Sequence, residues 1–218
     1  MTQRKEKILV VGDVHAEFGV LNTLINKKKP TIVLQCGDFG YWPDIKAYPK
    51  VPDACKLYWC DGNHEHFWSL KERKSDEVWP NVFYMKRGST LTLPDGRTVL
   101  FLGGAKSIDK EYRTYGQDWF EEEEISMNDI TQIDRNQKID IIISHTCPVE
   151  FMKYTEDGRV NDWSRKALSH VRQMFNPLLW YFGHWHCYDT GFTLGCRWTA
   201  LSCIHEGTWW EELRNKGE

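Results

Sequence analysis

Three glycine-led pairs recur at a constant interval in this chain. Gly12-Asp13, Gly37-Asp38 and Gly62-Asn63 stand 25 residues apart, and each follows a largely apolar run, at once or after one residue: ILVV, TIVLQ and KLYWC. An interval of about 25 residues is room for a strand, a loop and a helix that brings the chain back to the same sheet edge. Such a chain sets its three polar residues side by side at strand C-terminal ends, where open α/β sheets hold their ligand sites. Glycine before each one lets the backbone turn sharply without a Cβ penalty. The same grammar returns later: LLWYF runs into Gly183-His184-Trp185-His186, and IDIIIS delivers His145.

The rest of the chain fits that frame. Strand signals fall on Lys7–Val11, Thr31–Gln35, Lys56–Cys60, Val82–Met85, Thr90–Leu93, Thr98–Leu102, Ile139–Ser144 and Leu178–Phe182. Helical spacing of apolar residues marks Glu17–Lys27 and Asn161–Phe175; on the second, Trp163, Ala167, Leu168, Val171 and Met174 share a face. Hairpins are expected at Leu91–Leu102 around Pro94-Asp95-Gly96, and at Phe192–Ser202 around Gly195-Cys196. Strand–helix alternation followed by hairpins predicts an α/β layered domain with mixed sheets. With 218 residues and no low-complexity linker, residues 1–218 read as a single domain.

Composition narrows the function. A formal charge of -3 argues against a broad electrostatic binder of nucleic acid or anionic membrane, although Lys27–Lys29 and Lys71–Lys74 form modest basic patches. No run approaches the roughly 20 apolar residues of a membrane span, and no secretory signal is evident. Seven cysteines, none in a C-x-x-C, suit small buried residues in a reducing compartment, so a cytoplasmic location is expected. The eight histidines and eleven tryptophans are in excess of what a core needs.

Collected at the strand ends are Asp13, His15, Asp38, Asn63, His64, His145, His184 and His186. This mixed oxygen and nitrogen set suits Mn, Fe, Zn or Ni rather than Ca. Asp13 and His15 are two apart, as are His184 and His186, and on an extended segment that spacing points both side chains the same way. Taken singly, an Asp-x-His serves as well to cap a helix, and a Gly-Asp says little. The joint pattern, always just past a strand, points to a metal centre.

The order Asp13-x-His15, Gly37-Asp38, Gly62-Asn63-His64-Glu65, His145 and Gly183-His184-x-His186 resembles the calcineurin-like metallophosphoesterase superfamily, as a small, uncapped member. The resemblance implies a four-layer fold, a β-sandwich of two mixed sheets flanked by helices, with a dinuclear centre at the strand ends. It implies that Asp13, His15 and His186 hold one divalent ion, that Asn63, His145 and His184 hold the other, and that Asp38 bridges them. Manganese is the ion expected to support activity best. Two such ions share a hydroxide that attacks the phosphorus of a phosphomonoester or phosphodiester. His64 is implied as the catalytic imidazole, a general acid rather than a ligand.

Two positions depart from the pattern. Many relatives carry an Asp where Tyr41 stands, and it orients the catalytic histidine; Glu65 and Asp44 are the candidates for that task here. The phosphoprotein phosphatase branch grips phosphate with an Arg where this chain has Trp42, which lowers the protein-phosphatase reading. Lys106, Ser107 and Arg113 are candidate phosphate contacts, and Tyr41 and Trp42, with Trp68, Trp119 and Trp185, are candidates to stack a base. His66 is a candidate to line the site, whereas His170 and His205 read as ordinary polar residues. Glu121–Glu124 reads as an acidic first helical turn or a solvated face. The expected partner is a phosphoester, a nucleotide among the candidates; nucleic acid is not favoured, no membrane partner is expected and oligomeric state is open. A nuclease acting on DNA or RNA and a serine/threonine protein phosphatase stay as alternatives; a non-catalytic scaffold is disfavoured, because no motif ligand is lost and His64 is present.

Overall fold

Strands that are apolar at every position need cover on both faces. The computed structural model, which describes residues 6–152 and 162–216, supplies it by facing two six-stranded sheets and laying helices outside them. In chain order the strands are β1 (Ile8–Val11), β2 (Ile32–Gln35), β3 (Lys56–Trp59), β4 (Glu77–Trp79), β5 (Val82–Tyr84) and β6 (Thr90–Thr92). They continue as β7 (Thr98–Leu102), β8 (Ile141–Ser144), β9 (Leu179–Phe182), β10 (Asp189–Thr193), β11 (Cys196–Ala200) and β12 (Trp210–Glu212). The helices are α1 (Phe18–Lys28), α2 (Phe67–Lys71), α3 (Met127–Thr131) and α4 (Trp163–Phe175). Asn161, the expected start of the last helix, lies outside the described residues.

One sheet runs β12-β1-β2-β3-β5-β4 and the other β10-β11-β9-β8-β7-β6. In each, four parallel strands are flanked by an antiparallel strand at either edge. Register sets the site. Val11, Gln35 and Trp59 are level across the first sheet, and Ile143 is level with Tyr181 in the second, so the loops that follow leave from one edge.

The period-two alternation of strand side chains divides the core. Ile8, Val10, Leu34, Val99, Phe101, Ile141, Ile143 and Tyr181 fill the space between the sheets. Leu9, Val11, Val33, Leu57 and Trp59 face outward onto Phe18, Leu21, Leu24 and Ile25 of α1. Leu100, Leu102, Ile142, Trp180 and Phe182 do the same against Ile130 of α3 and Ala167, Leu168 and Val171 of α4. Each such large side chain contributes about 1.5–3 kcal/mol on burial. Asp162 caps α4 by accepting from the Arg165 N–H at 2.8 Å, and Asn176 closes it in the left-handed conformation.

Local differences from expectation have local causes. The second hairpin turns at Leu194-Gly195, not Gly195-Cys196, because both residues take positive φ (51° and 83°), the two-residue turn whose twist suits a hairpin. The Glu121–Glu123 segment is a short 3-10 turn in which Glu123 is buried, so it is neither a helix start nor a wholly solvated face. Six of the seven cysteines are buried. Among the described residues, no helix is long and apolar enough to cross a membrane.

Candidate metal centre

The loops after β1, β2, β3, β8 and β9 converge because glycines let them touch. A Cβ on Gly62 would collide with Asp38 Oδ1, and one on Gly183 with Asp13 Oδ1, so neither strand end tolerates a side chain there. Asp13 and Asp38 are thereby buried. The His184 N–H donates to both Asp13 oxygens at 3.0–3.1 Å, and the Asn63 and His64 N–H groups donate to Asp38 Oδ1 at 2.8 and 3.0 Å.

Around these carboxylates stand the imidazoles. His186 Nε2 is 3.3 Å from Asp13 Oδ2 and 3.3 Å from His15 Nε2, which is itself 3.6 Å from Asp38 Oδ2. On the other oxygen, His145 Nε2 is 3.2 Å from Asp38 Oδ1 and 3.1 Å from Asn63 Oδ1. The His184 ring meets the His145 ring edge-on at 5.0 Å. Donor atoms of Asp13, Asp38 and His145 lie within 4.8 Å of one another, as do those of His15, Asp38 and His64, and those of His15, His186 and Cys203.

The convergence does not arise as the two-residue spacing suggested. His15, Asp38, His184 and His186 are not extended; their φ values are 45°, 51°, 68° and 49°. Left-handed turns, not strand alternation, aim these side chains inward. Non-glycine residues rarely adopt that region, and such strain gathers at functional sites.

The electrostatics fit divalent cations. Among the described residues, the ion-pair partners of Asp13 and Asp38 are all imidazoles. Burial opposes charge on His145, but the Asp38 carboxylate, its hydrogen bond and Asp13 outweigh burial and push this histidine up to about 10. Burial likewise opposes charge on Asp38, and His145 and His64 nonetheless hold it well below the usual carboxylate range. A proton on His145 stands in for the positive charge that a metal would bring. The outward nitrogens are also set for ligation: His145 Nδ1 meets the Cys36 carbonyl at 2.9 Å, and His186 Nδ1 meets Glu206 Oε2 at 3.1 Å, leaving both Nε2 atoms to the centre.

Beside the donors opens a cleft of about 250 Å³ whose walls include His64, Ile108, Arg113 and Trp185. Arg113 Nη2 donates to His64 Nε2 at 2.9 Å, and its guanidinium pairs with Asp109 at 2.9 Å. Burial is the main influence that lowers His64, and the Arg113 cation adds to it. Neither Glu65 nor Asp44 orients this ring. Glu65 is buried and spends its carboxylate on the N–H groups of Phe39, Gly40 and Gly62, tying the second and third loops together, and Asp44 is exposed.

Four expected substrate contacts are placed elsewhere. Tyr41 faces the core among Trp59 and Trp79, its hydroxyl accepting from Arg73, because the loop turns it inward. Trp42 packs edge-on against His66, not along the cleft, and His66 itself caps α2 by accepting from the Ser69 N–H. Lys106 is exposed outside the cleft walls. Ser107 is buried; its Oγ accepts from Asn63 Nδ2 at 3.1 Å and donates to Glu123 Oε2 at 2.8 Å, so it fixes the Asn63 amide. Of the candidate substrate contacts, Arg113 and Trp185 line the cleft, whereas Trp68 and Trp119 are not among its walls. The supports Glu123 and Glu206 escaped the sequence reading, as did the nearness of Cys203, since none stands in a motif and each meets its partners away from its own stretch of chain.

The sequence matches the calcineurin-like phosphoesterase family over residues 6–188. No curated protein sequence matches at a significant level. Among solved structures, a phosphopantetheinyl hydrolase from Mycobacterium tuberculosis superposes with a TM-score of 0.54 at 14% identity, covering 98% of each chain. A dimetal phosphatase from Danio rerio superposes at 0.55 and 13% identity, covering 94% of this chain and 89% of that one. These likenesses show the fold expected from the motifs: two mixed sheets face to face with helices outside. The chain belongs to the calcineurin-like phosphoesterase family, whose members are hydrolases of phosphoester bonds.

Proposed function

We propose that the chain hydrolyses a small phosphomonoester or phosphodiester at a dinuclear centre, with Asp13, His15 and His186 on one divalent ion, Asn63, His145 and His184 on the other, and Asp38 between them. The observation that carries this reading is the split of Asp38: Oδ2 faces His15, and Oδ1 faces His145. When bound, the cations supply a hydroxide nucleophile at neutral pH and neutralise the phosphoryl oxygens. Arg113, in the cleft wall, provides the cationic grip that Trp42 does not. In the resting arrangement Arg113 donates to His64 Nε2, so the ring keeps its proton on Nδ1. An arriving phosphoryl group draws the guanidinium away, frees Nε2 and favours its protonation; His64 then delivers that proton to the departing alkoxide, a step worth about 10²–10⁴-fold.

A cleft of about 250 Å³ lies just below the roughly 300–1,000 Å³ of common small-molecule sites, which supports a compact leaving group over a polymer. The test is hydrolysis of p-nitrophenyl phosphate and bis-p-nitrophenyl phosphate with Mn²⁺, comparing wild type with Asp38→Asn. Activity on at least one ester and its loss in the variant are expected. Full activity in Asp38→Asn would refute the bridging role, and a wild type inert toward both esters and a nucleotide panel would refute hydrolysis.

A further inference from the structure

Cys203 sits just past β11 with its thiol among histidines. Its Sγ and one ring nitrogen each of His15 and His186 all lie within 4.8 Å of one another, and the residue is buried. We propose that Cys203 is a thiolate ligand of the cation held by Asp13, His15 and His186. The inference rests on the metal centre described above and adds to it a donor of a different chemical kind.

Three features carry it. The loop is held where it stands: the Leu201 N–H donates to the Phe182 carbonyl at 2.8 Å, and the Ile204 N–H to the Asp13 carbonyl at 3.0 Å. Cys203 is therefore flanked by bonds to the two strand ends that carry Asp13 and His184. The same loop bears Glu206, whose N–H donates to the Cys203 carbonyl at 3.1 Å and whose carboxylate braces His186. One short turn thus supplies the thiol and orients a neighbouring imidazole. Finally, Cys203 is the only cysteine found in a cluster of candidate metal donors among the described residues.

Two imidazoles, the Asp13 carboxylate, the shared Asp38 carboxylate and a thiolate form a donor set suited to Zn, Fe or Co, softer than the set read from the motifs alone. Coordination exchanges the S–H bond for a sulfur–metal bond and releases one proton to solvent. The cation preference expected from the motifs, manganese, then shifts toward zinc or iron at this position.

The test is cobalt reconstitution of the full chain, with cobalt counted by elemental analysis and the near-ultraviolet thiolate-to-cobalt charge-transfer band recorded. Wild type should bind cobalt and show the band. Cys203→Ser should keep its cobalt and lose the band, while Cys196→Ser, altered at a buried cysteine of the helix-side core, should retain both. Zinc affinity of Cys203→Ser should fall by about tenfold or more, at least the loss that an outer partner of a ligand brings. Cobalt-loaded wild type without the band overturns the thiolate assignment and leaves the metal centre standing, whether or not the variant folds. Persistence of the band in Cys203→Ser overturns it too. Wild type that takes up no cobalt overturns both.

Discussion

Replacing Ser107 by Ala separates a support of the metal centre from a contact with substrate. The hydroxyl makes two bonds in a buried setting: it accepts from Asn63 Nδ2 at 3.1 Å and donates to Glu123 Oε2 at 2.8 Å. Glu123 keeps the Ser107 N–H at 2.8 Å and the Trp119 indole N–H at 2.9 Å, so its other oxygen bears the loss. A bond to a carboxylate and a neutral bond together contribute about 2–4 kcal/mol. At about 2–4 °C per kcal/mol for a chain of this size, the melting temperature should drop by about 5–15 °C. The Asn63 amide, released from its anchor, no longer presents Oδ1 steadily beside His145. Divalent-cation affinity should weaken by about 10–100-fold, the usual consequence of losing an outer partner of a ligand. Calorimetric titration with Mn²⁺ measures that affinity, and hydrolysis of p-nitrophenyl phosphate at saturating metal gives KM. An anchoring role predicts weakened metal binding with KM restored once metal saturates. Unchanged metal affinity with a raised KM would refute this reasoning and return Ser107 to the substrate.

Two further predictions follow from buried charge. Arg87 bonds Asp61 at 2.6 and 2.9 Å and also the carbonyls of Glu122, Glu123 and Glu124, and Asp61 is fully buried; Arg87→Met should cost about 3–5 kcal/mol in denaturant unfolding, and a loss under about 1 kcal/mol would show that the pair is solvated. Asp140, penalised by burial yet bonded by the Thr98 N–H and Lys138, has its pKa lowered. Its contribution is therefore present above the unfolded carboxylate value of about 4 and lost as pH falls through the lower folded value. The melting advantage of wild type over Asp140→Asn should be constant near neutrality and shrink below about pH 4; an advantage that grows on acidification contradicts the sign.

Much of the convergence of these side chains was legible because its signals are local. A strand followed by glycine and a polar residue is written in consecutive letters, and Gly62 and Gly183 are glycines because a carboxylate presses against each, from the neighbouring strand at Gly62 and from the facing sheet at Gly183. The sandwich core was legible through runs such as Ile141–Ser144, buried at every position. The supports were not. Ser107 reaches Asn63 across 44 residues and His186 reaches Asp13 across 173, and no periodicity encodes such meetings. Edge strands β4 and β12 also escaped, being three residues long and stabilised by their sheet neighbours more than by pattern. The tryptophan excess, open from sequence, resolves largely into packing: Trp59, Trp180 and Trp198 are buried, and Trp79, Trp209 and Trp210 back the core beside α1.

The left-handed backbone at His15, Asp38, His184 and His186 sets function against stability. Conformations of this kind cost of order 1–3 kcal/mol each, so strain gathers at the very residues proposed to hold the ions. A descendant no longer selected for hydrolysis has a downhill path open to it: exchange of these residues for glycine or asparagine relaxes the turns while the sandwich beneath stays intact. Such exchanges would trade the candidate site for local stability, the usual tension between a strained site and its scaffold.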